Sequence, residues 1–282
     1  MIKYLSLIKF SHTIFAMPFA LIGFFLATKS NEFEWVTLLY VVLCMIFARS
    51  AAMAFNRYID RHIDAANSRT AQIREIPNGS IKANSALIFV IINSLLFIST
   101  TYLINSLCLA LSPVALLVII GYSYTKRFTA LCHLVLGLGL ALAPIGAYLA
   151  VSGNFDVVPL LFSAAVLFWV SGFDIIYSLQ DQEFDKEQKL HSIPVMIGTK
   201  NALNLSKLLH FFTFSSLSIA GSLGDFSLYY WIGFWIFTTL LIYQHILLKH
   251  NDLSKINLAF FTTNGIASVV FGIFVIADLL IQ

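Results

Sequence analysis

Two pairs of aspartates stand out in a sequence that is otherwise rich in apolar residues. Asp60 and Asp64 lie in the stretch NRYIDRHID, and Asp181 and Asp185 lie in YSLQDQEFD. Because residues four apart share one face of a helix, each pair predicts a carboxylate stripe whose like charges repel. Carboxylates at the C-terminal end of a helix also oppose its dipole. The pairs therefore favour a bound cation, and Mg²⁺, which prefers oxygen ligands and shares its coordination with substrate phosphates, suits them.

Further polar side chains extend both stripes. Asn56 continues the first stripe by one turn, and Asp174 and Tyr177 continue the second, since steps of three or four residues keep one helical face. Asp174 lies inside the apolar run LFWVSGFDIIYSL, and an ionisable residue in such a run is a candidate for function. The alternative interpretation is that these acids are solvated loop charge near a membrane surface. The presence of two matched pairs argues against it.

Long apolar segments must position these residues. The chain has 282 residues, of which 59% are hydrophobic and 11% charged, whereas soluble domains carry about 25% charged residues. Apolar runs of about 20 residues without period-two alternation predict membrane-spanning helices and not a β-barrel. The sequence therefore predicts an all-α integral membrane protein with nine transmembrane helices, at about 10–28, 36–56, 84–102, 107–124, 130–150, 157–178, 202–221, 228–248 and 256–280.

The basic residues are concentrated on one side of the predicted membrane. Of the 17 Lys and Arg residues, all except Lys29 flank the same set of helix ends and connections. The positive-inside rule then places the N-terminus in the cytoplasm and, with an odd number of spans, the C-terminus outside the cell (inner) membrane. The two longest polar connections, 57–83 and 179–201, both lie on the cytoplasmic face in this topology, together with the aspartate pairs.

The whole chain, 1–282, is predicted to form a single transmembrane domain. Asp60 and Asp181 each follow an apolar helix, and each is followed by basic residues and an Ile-Pro dipeptide. This correspondence indicates two similar units of roughly four helices, at about 1–125 and 126–282, as internal repeats are common in membrane folds.

The paired motifs carry a resemblance to a known family. The pattern NxxxDxxxD begins at Asn56 and is followed by Arg69 and Arg74, and the pattern DxxYxxxDxxxD begins at Asp174. With these motifs and its predicted spans, the chain resembles the UbiA superfamily of intramembrane prenyltransferases over essentially its whole length. The stretches KFSHTIFAMPFALIGF, YSYTKRFTALCH and GFDIIYSLQDQEFD are similar to the 4-hydroxybenzoate polyprenyltransferase branch, especially to MqnP-type members, which are associated with menaquinone made by the futalosine route. One difference is Arg57, where many superfamily members carry Asp.

The resemblance implies a helical bundle around a central cavity, in which the two aspartate segments hold a polyprenyl diphosphate through Mg²⁺. It gives catalytic and metal-binding roles to the four aspartates, with an asparagine as their neutral partner: Asn56, Asp60, Asp64, Asp181 and Asp185. It also makes nearby basic and phenolic side chains candidates for contact with the diphosphate: Arg69, Arg74, Lys126, Arg127 and Tyr177. For the basic residues, the alternative is that they only anchor helices at the cytoplasmic face.

An aromatic acid acceptor needs a cationic partner, and three residues near the same end of the bundle are candidates: Lys9, His12 and Arg49. Arg49 is preferred because it falls inside the second predicted span, seven residues before Asn56 and on roughly the same face. Asp174 and Tyr124 are the other predicted contacts of the acceptor.

The predicted function is Mg²⁺-dependent transfer of a polyprenyl group to 4-hydroxybenzoate, or to a related quinone precursor such as 1,4-dihydroxy-6-naphthoate, in ubiquinone or menaquinone biosynthesis. The predicted partners are a polyprenyl diphosphate, an aromatic acid and the lipid bilayer, with no nucleic acid. The alternatives are another acceptor of the same kind of enzyme, a cation-coupled secondary transporter, and a phosphatidyltransferase. The acids gather at one membrane face, which disfavours transport, and the DG…AR…G…D…D motif of phosphatidyltransferases is absent from the sequence.

Overall fold

The structure, a computed structural model, describes residues 2–7, 15–248 and 252–282. Within these ranges the main elements are helices, in chain order α1 (Ile2–Leu7), α2 (Met17–Thr28), α3 (Trp35–Ile59), α4 (Arg61–Ala66), α5 (Ala83–Ile104), α6 (Ser106–Thr125), α7 (Cys132–Ser152), α8 (Val157–Ser178), α9 (Gln182–Glu187), α10 (Ile193–Leu223), α11 (Leu228–Leu247) and α12 (Asn264–Ile281). A 3₁₀ turn at Leu179–Asp181 joins α8 to α9, and a π-helical turn at Leu258–Thr263 leads into α12. The predicted all-α class is confirmed.

Seven stretches of the described chain are long and apolar enough to cross a membrane: Trp35–Ile59, Ala83–Ile104, Ser106–Thr125, Cys132–Ser152, Val157–Glu187, Leu228–Leu247 and Leu258–Ile281. The other two predicted spans coincide with α2 and α10. Helix α2 has 12 residues, and the part of its predicted span before residue 15 lies outside the described ranges. Helix α10 has 31 residues and is kinked at Gly198, where φ is 77°. The chain is therefore a multi-pass membrane protein, and the count of nine spans stays a prediction.

Helix α8 lies between α7 and α10 at the centre of the bundle. It carries apolar residues around most of its circumference, as expected for a helix that is packed on several sides. The ring of Trp169 is fully buried, and the rings of Phe19, Phe173 and Phe237 have their centroids 5.2 to 5.5 Å away. This aromatic core fixes the rotation of α8, and therefore the direction in which the C-terminal end of the helix presents Tyr177.

A cavity of about 360 Å³ lies among α3, α5, α6 and α7. Small side chains in its wall, such as Cys44, Cys108 and Gly139, leave space between the helices. Arg49 of α3 is the one charged residue in the described part of the wall, and Tyr122 of α6 is also part of it. The cavity is thus an apolar chamber with a single cation.

Both aspartate pairs lie across a break at the end of a long helix. Asp60 is the C-cap of α3, with φ −90° and ψ 3°, and Asp64 belongs to the separate helix α4. Asp181 lies in the 3₁₀ turn after α8, and Asp185 belongs to α9. The prediction of one stripe on one continuous helix is therefore wrong in this respect. Helix ends commonly tighten into 3₁₀ geometry, and a break relieves the repulsion of two carboxylates on one face.

Gly137 allows α7 to approach α8 closely. A Cβ atom at this position would lie 2.3 Å from Ser171 Oγ and 2.5 Å from the carbonyl oxygen of Leu167. We expect Gly137→Ala to lower the free energy of unfolding by about 1–3 kcal/mol, because overpacking displaces the α8 backbone. The matched control is Gly139→Ala on the same helix, where the nearest atom, Ile119 Cα, is 3.9 Å away. Thermal unfolding in detergent compares the two variants, and equal midpoints contradict the packing argument.

Candidate active site

Asp60 is the centre of the first charged cluster. It is 2% exposed at the end of α3. Lys126 Nζ lies 2.5 Å from its Oδ2, Arg127 Nη2 lies 2.9 Å from its Oδ1, and Asn56 Nδ2 donates to Oδ2 at 3.1 Å. A buried carboxylate is tolerated when it has such partners. The connection after α6 thus places Lys126 and Arg127, two predicted contacts of the diphosphate, against Asp60, a predicted ligand of the metal.

Asp181 is the centre of the second charged cluster. Both of its oxygens accept hydrogen bonds from the guanidinium fork of Arg69, with Nε 3.0 Å from Oδ1 and Nη2 in contact with Oδ2. Asn67 Nδ2 also donates to Oδ1, at 3.1 Å, and Arg69 Nη1 donates to the hydroxyl of Tyr177 at 3.2 Å. A bidentate arginine–carboxylate pair is strong and geometrically specific. It joins the 57–83 connection to the end of α8, so the two aspartate segments face each other.

The second aspartate of each pair is less completely satisfied. Asp64 is buried, and its Oδ2 has no hydrogen-bond partner within the described chain. Burial raises the pKa of Asp64 to about 6; the charge of Arg57 opposes this shift and that of Asp60 adds to it. Asp185 is half-buried on α9. A buried carboxylate oxygen without a partner marks a place where a further cation or donor gains free energy by binding.

The donor set fits a magnesium ion that is shared with a substrate. In the described parts of the chain no three His, Cys, Asp or Glu side chains form a ready-made metal site. Mg²⁺ does not require one, because it commonly uses one or two carboxylates and completes its octahedral shell with water and substrate phosphates. The unpartnered Oδ2 of Asp64, next to Asp60, supplies the hard oxygen that such an ion needs.

Asp174 is held by a histidine from the neighbouring helix. Its Oδ2 lies 2.7 Å from Nδ1 of His133, which is buried near the start of α7. The backbone N–H of Ile193, in the first turn of α10, donates to His133 Nε2 at 3.4 Å. No local pattern in the sequence indicates this pair, because the two residues are 41 positions apart. Asp174 lies seven residues before Asp181, so the dyad extends the second cluster towards the membrane interior.

Arg49 and Tyr124, two predicted contacts of the acceptor, are placed differently. Arg49 lines the cavity, and its Nε is buried without a hydrogen-bond partner in the described structure. Tyr124 is 44% exposed and its ring lies against the Arg127 guanidinium, 5.6 Å from its centroid. The structure does not bring Tyr124 to the cavity wall, where α6 instead contributes Tyr122. Two residues along a helix point about 200° apart, so only one of these tyrosines can face the cavity.

The remaining predicted residues give a mixed outcome. Arg74 lies in the 57–83 connection, and its Nη1 is buried without a partner in the described structure, but it is not paired with an aspartate there. Lys9 and His12 lie outside the described residues.

Two residues that the sequence analysis did not assign to the site also take part in it. Asn67 caps α4 and binds Asp181, and Arg57 is buried and donates from Nη1 to Asn56 Oδ1 at 2.7 Å. Asn67 lies between Asp64 and Arg69, and Arg57 lies between Asn56 and Asp60, so their position next to motif residues was the available signal.

Comparisons with known proteins identify the family. The model of the UbiA prenyltransferase family matches residues 16–266. A 4-hydroxybenzoate octaprenyltransferase of Tolumonas auensis is 30% identical over 236 residues, which cover 83% of this chain and 82% of the relative.

Two solved structures extend the comparison to the fold. A UbiA homologue from Aeropyrum pernix K1 in its apo form has a TM-score of 0.86 and 28% identity, covering 95% of this chain and 98% of that one. A UbiA homologue from Archaeoglobus fulgidus bound to DMAPP and Mg²⁺ has a TM-score of 0.76 and 20% identity, covering 99% and 100%. Because the family match spans most of the sequence and the paired aspartates lie within it, the chain belongs to the UbiA prenyltransferase family.

Proposed function

We propose that this prenyltransferase moves a polyprenyl group from a polyprenyl diphosphate to the ring of an aromatic acid. The observation that carries the proposal is Arg49, a guanidinium in the wall of an otherwise apolar cavity, on the same helix as Asn56 and Asp60. A carboxylate is the preferred partner of such a cation. The relatives named 4-hydroxybenzoate octaprenyltransferase carry an acid of this kind in their name. Family membership sets aside the transporter and phosphatidyltransferase alternatives.

The four aspartates are the proposed ligands of Mg²⁺, directly or through water: Asp60, Asp64, Asp181 and Asp185. Asn56 is their neutral partner in this proposal, because it already donates to Asp60. The homologue from Archaeoglobus fulgidus that shares this fold was bound to DMAPP and Mg²⁺, which supports the assignment. Bound Mg²⁺ would offset the negative charge that builds on the diphosphate as it leaves.

The cations that hold the aspartates are also the proposed contacts of the diphosphate. Arg69 offers a planar fork to phosphate oxygens, and Lys126 and Arg127 offer further charge from the opposite segment. Arg74, whose Nη1 is buried without a partner in the described structure, and the hydroxyl of Tyr177 complete the proposed set. In this proposal Arg69, Lys126 and Arg127 would each exchange a carboxylate partner for a phosphate partner, so that their charges stay compensated.

Transfer breaks the bond between the allylic carbon and the diphosphate oxygen, and the oxygen keeps the electron pair. The ring carbon ortho to the acceptor hydroxyl then forms the new carbon–carbon bond, and its proton passes to a base. Arg49 holds the acceptor carboxylate in this proposal, and Asp174, oriented by His133, is the second acceptor contact. The apolar walls exclude water from the allylic cation, and aromatic faces attract it.

The acceptor is proposed to be 4-hydroxybenzoate or a larger acid of the same type. The names of the curated relatives support 4-hydroxybenzoate, and the similarity to MqnP-type members supports 1,4-dihydroxy-6-naphthoate. Both acids present a carboxylate for Arg49 and a hydroxylated ring for attack.

The orientation in the membrane is also a proposal. The distribution of Lys and Arg supports a cytoplasmic position for both aspartate clusters and the N-terminus. Lys29, the exception in that distribution, donates from Nζ to Gln282 Oε1 at 2.7 Å. This contact supports placing the C-terminus at the opposite end of the bundle, outside the cell.

Removing the charge of one aspartate in either cluster should stop transfer. We expect Asp60→Asn and Asp181→Asn each to lower kcat/KM at least about 100-fold, because electrostatic stabilisation of the leaving group is lost. Asp156→Asn, at the other end of α8, is the matched control and should keep its activity. Transfer of radiolabelled prenyl groups in membranes measures the effect, with folding checked by gel filtration. Turnover within a few-fold of wild type in either cluster variant contradicts the mechanism.

Replacing Arg49 should weaken selection for an acid. We expect Arg49→Met to lower kcat/KM for the acid about 10- to 100-fold, the usual contribution of a hydrogen bond to a charged group. Arg61→Met is the control, because the guanidinium of Arg61 donates to the carbonyl of Tyr58. Each acid is offered separately, and product masses identify the one that is prenylated. An unchanged KM for that acid in Arg49→Met argues that the carboxylate binds elsewhere.

Binding of Mg²⁺ should weaken at mildly acidic pH. The raised pKa of Asp64, about 6, means that this carboxyl holds its proton below that pH, and the proton must leave before a cation binds. Burial likewise raises the pKa of Asp185, another proposed ligand, to about 6. We expect affinity to fall below pH 6, with release of up to one proton from each of these two carboxyls on binding. Calorimetric titration with Mg²⁺ and inorganic pyrophosphate in buffers of different ionisation enthalpy counts the proton. Asp64→Asn should release fewer protons than the wild-type protein under the same conditions, and an equal number in the two proteins assigns the release to other groups.

A further inference from the structure

A hydrogen-bonded chain of buried side chains crosses the bundle between α8, α10, α11 and α12. Trp169 Nε1 donates to Asn264 Oδ1 at 2.8 Å, and Asn264 Nδ2 donates to Gln244 Oε1 at 3.0 Å. Gln244 Nε2 lies 3.0 Å from His210 Nδ1, and none of these four residues is more than 5% exposed. Burying amides and an imidazole among apolar rings is costly unless every polar atom is paired. Such a network specifies one arrangement of the four helices.

Asn264 connects this network to the π-helical turn at Leu258–Thr263. Its Nδ2 lies 3.0 Å from the carbonyl oxygens of both Ala259 and Phe260, inside the turn. A π turn contains one extra residue, so the residues before it are rotated by about 100° relative to an uninterrupted α-helix. Asn264 therefore stabilises the local geometry that decides which way Phe260 points.

Phe260 points at Tyr177, and Tyr177 touches the second aspartate cluster. The rings of Phe260 and Tyr177 are stacked, with centroids 4.1 Å apart and an interplanar angle of 27°. Arg69 lies against the same tyrosine ring, 5.6 Å from its centroid, and hydrogen-bonds to its hydroxyl. Arg69 also makes a bidentate contact with the carboxylate of Asp181. Unbroken contact thus runs from the interior network, through the π turn, to a proposed metal ligand.

We propose that Asn264 and the π turn are a positioning element for the second aspartate cluster, with Phe260 as the contact that fixes the Tyr177 ring. The ring then holds the guanidinium of Arg69 at the angle that serves both Asp181 and an incoming diphosphate. This inference rests on the proposed function. Asn264 and Phe260 act here through other residues and are not assigned a contact with the reacting atoms.

The test measures binding of Mg²⁺ with inorganic pyrophosphate to the full-length protein by calorimetry, together with transfer kinetics. We expect Asn264→Leu and Phe260→Leu each to weaken binding about 3- to 10-fold, the range that loss of one aromatic stack corresponds to. The donor KM should rise by the same factor while kcat changes less than about twofold. The double variant should bind pyrophosphate as tightly as the single variant with the lower affinity, because both changes break the same connection.

Two controls separate positioning from general loss of packing. Phe271→Leu makes the same change in α12, at a fully buried ring that lies against Phe19, Phe162 and Phe237 in tilted geometry. Ser268→Ala changes a buried polar residue one turn after Asn264. Both should keep wild-type pyrophosphate binding, even where Phe271→Leu lowers the unfolding temperature.

Three results overturn the inference in distinguishable ways. If Phe260→Leu binds pyrophosphate within about twofold of wild type, the stack with Tyr177 has no positioning role. This variant alone decides the question if Asn264→Leu does not fold. If Phe271→Leu weakens pyrophosphate binding by the same factor, the effect comes from a general loss of packing in the bundle. Absence of binding in the wild-type protein overturns the proposed function itself, and the positioning role with it.

Discussion

The structure depends on compensating the carboxylates of Asp60 and Asp181 at one end of an apolar bundle. A buried carboxylate without a partner costs more than most packing contacts contribute, so its partners constrain every segment that supplies one. Asp60 draws the connection after α6 to the end of α3, through Lys126 and Arg127. Asp181 draws the 57–83 connection to the end of α8, through Arg69 and Asn67. The two polar segments meet because the 57–83 connection supplies the hydrogen-bonding partners of Asp181.

In the proposed function, the same compensation gives a physical account of how the diphosphate binds. The cations that neutralise Asp60 and Asp181 are of the type that binds phosphate, and the aspartates are of the type that binds Mg²⁺. In the proposed function, a diphosphate with its Mg²⁺ would offer both sets a partner of opposite charge, and the ion pairs would be exchanged with little change in net charge. Asp64, with an oxygen that has no partner within the described residues, is the position where the site is incomplete before this exchange.

The sequence predicted those features that depend on local pattern. Apolar runs identified the long helices, and the spacing of Asn56, Asp60 and Asp64 indicated the candidate site, because both signals repeat within a few residues. Features that depend on distant partners were missed or wrong. His133 binds Asp174, which lies 41 positions away in the sequence. Asp60 lies at the end of α3, where the spacing of the aspartates had predicted a continuous helix. The choice of Tyr122 over Tyr124 for the cavity follows from the rotation of α6 in the bundle, which no local spacing reports.

The π turn at Leu258–Thr263 illustrates the same limit and gives it a functional meaning. Hydropathy makes this stretch part of one continuous helix, because an extra residue in a helical turn leaves the apolar composition unchanged. The feature that explains the turn is the hydrogen bonding of Asn264 to two of its carbonyl groups. Asn264 can do so because Trp169 and Gln244, from two other helices, hold its side chain in place. The rotation of Phe260 towards Tyr177 is therefore decided by four helices together. In this way the charged side chains at the end of the bundle depend for their position on uncharged side chains in its interior.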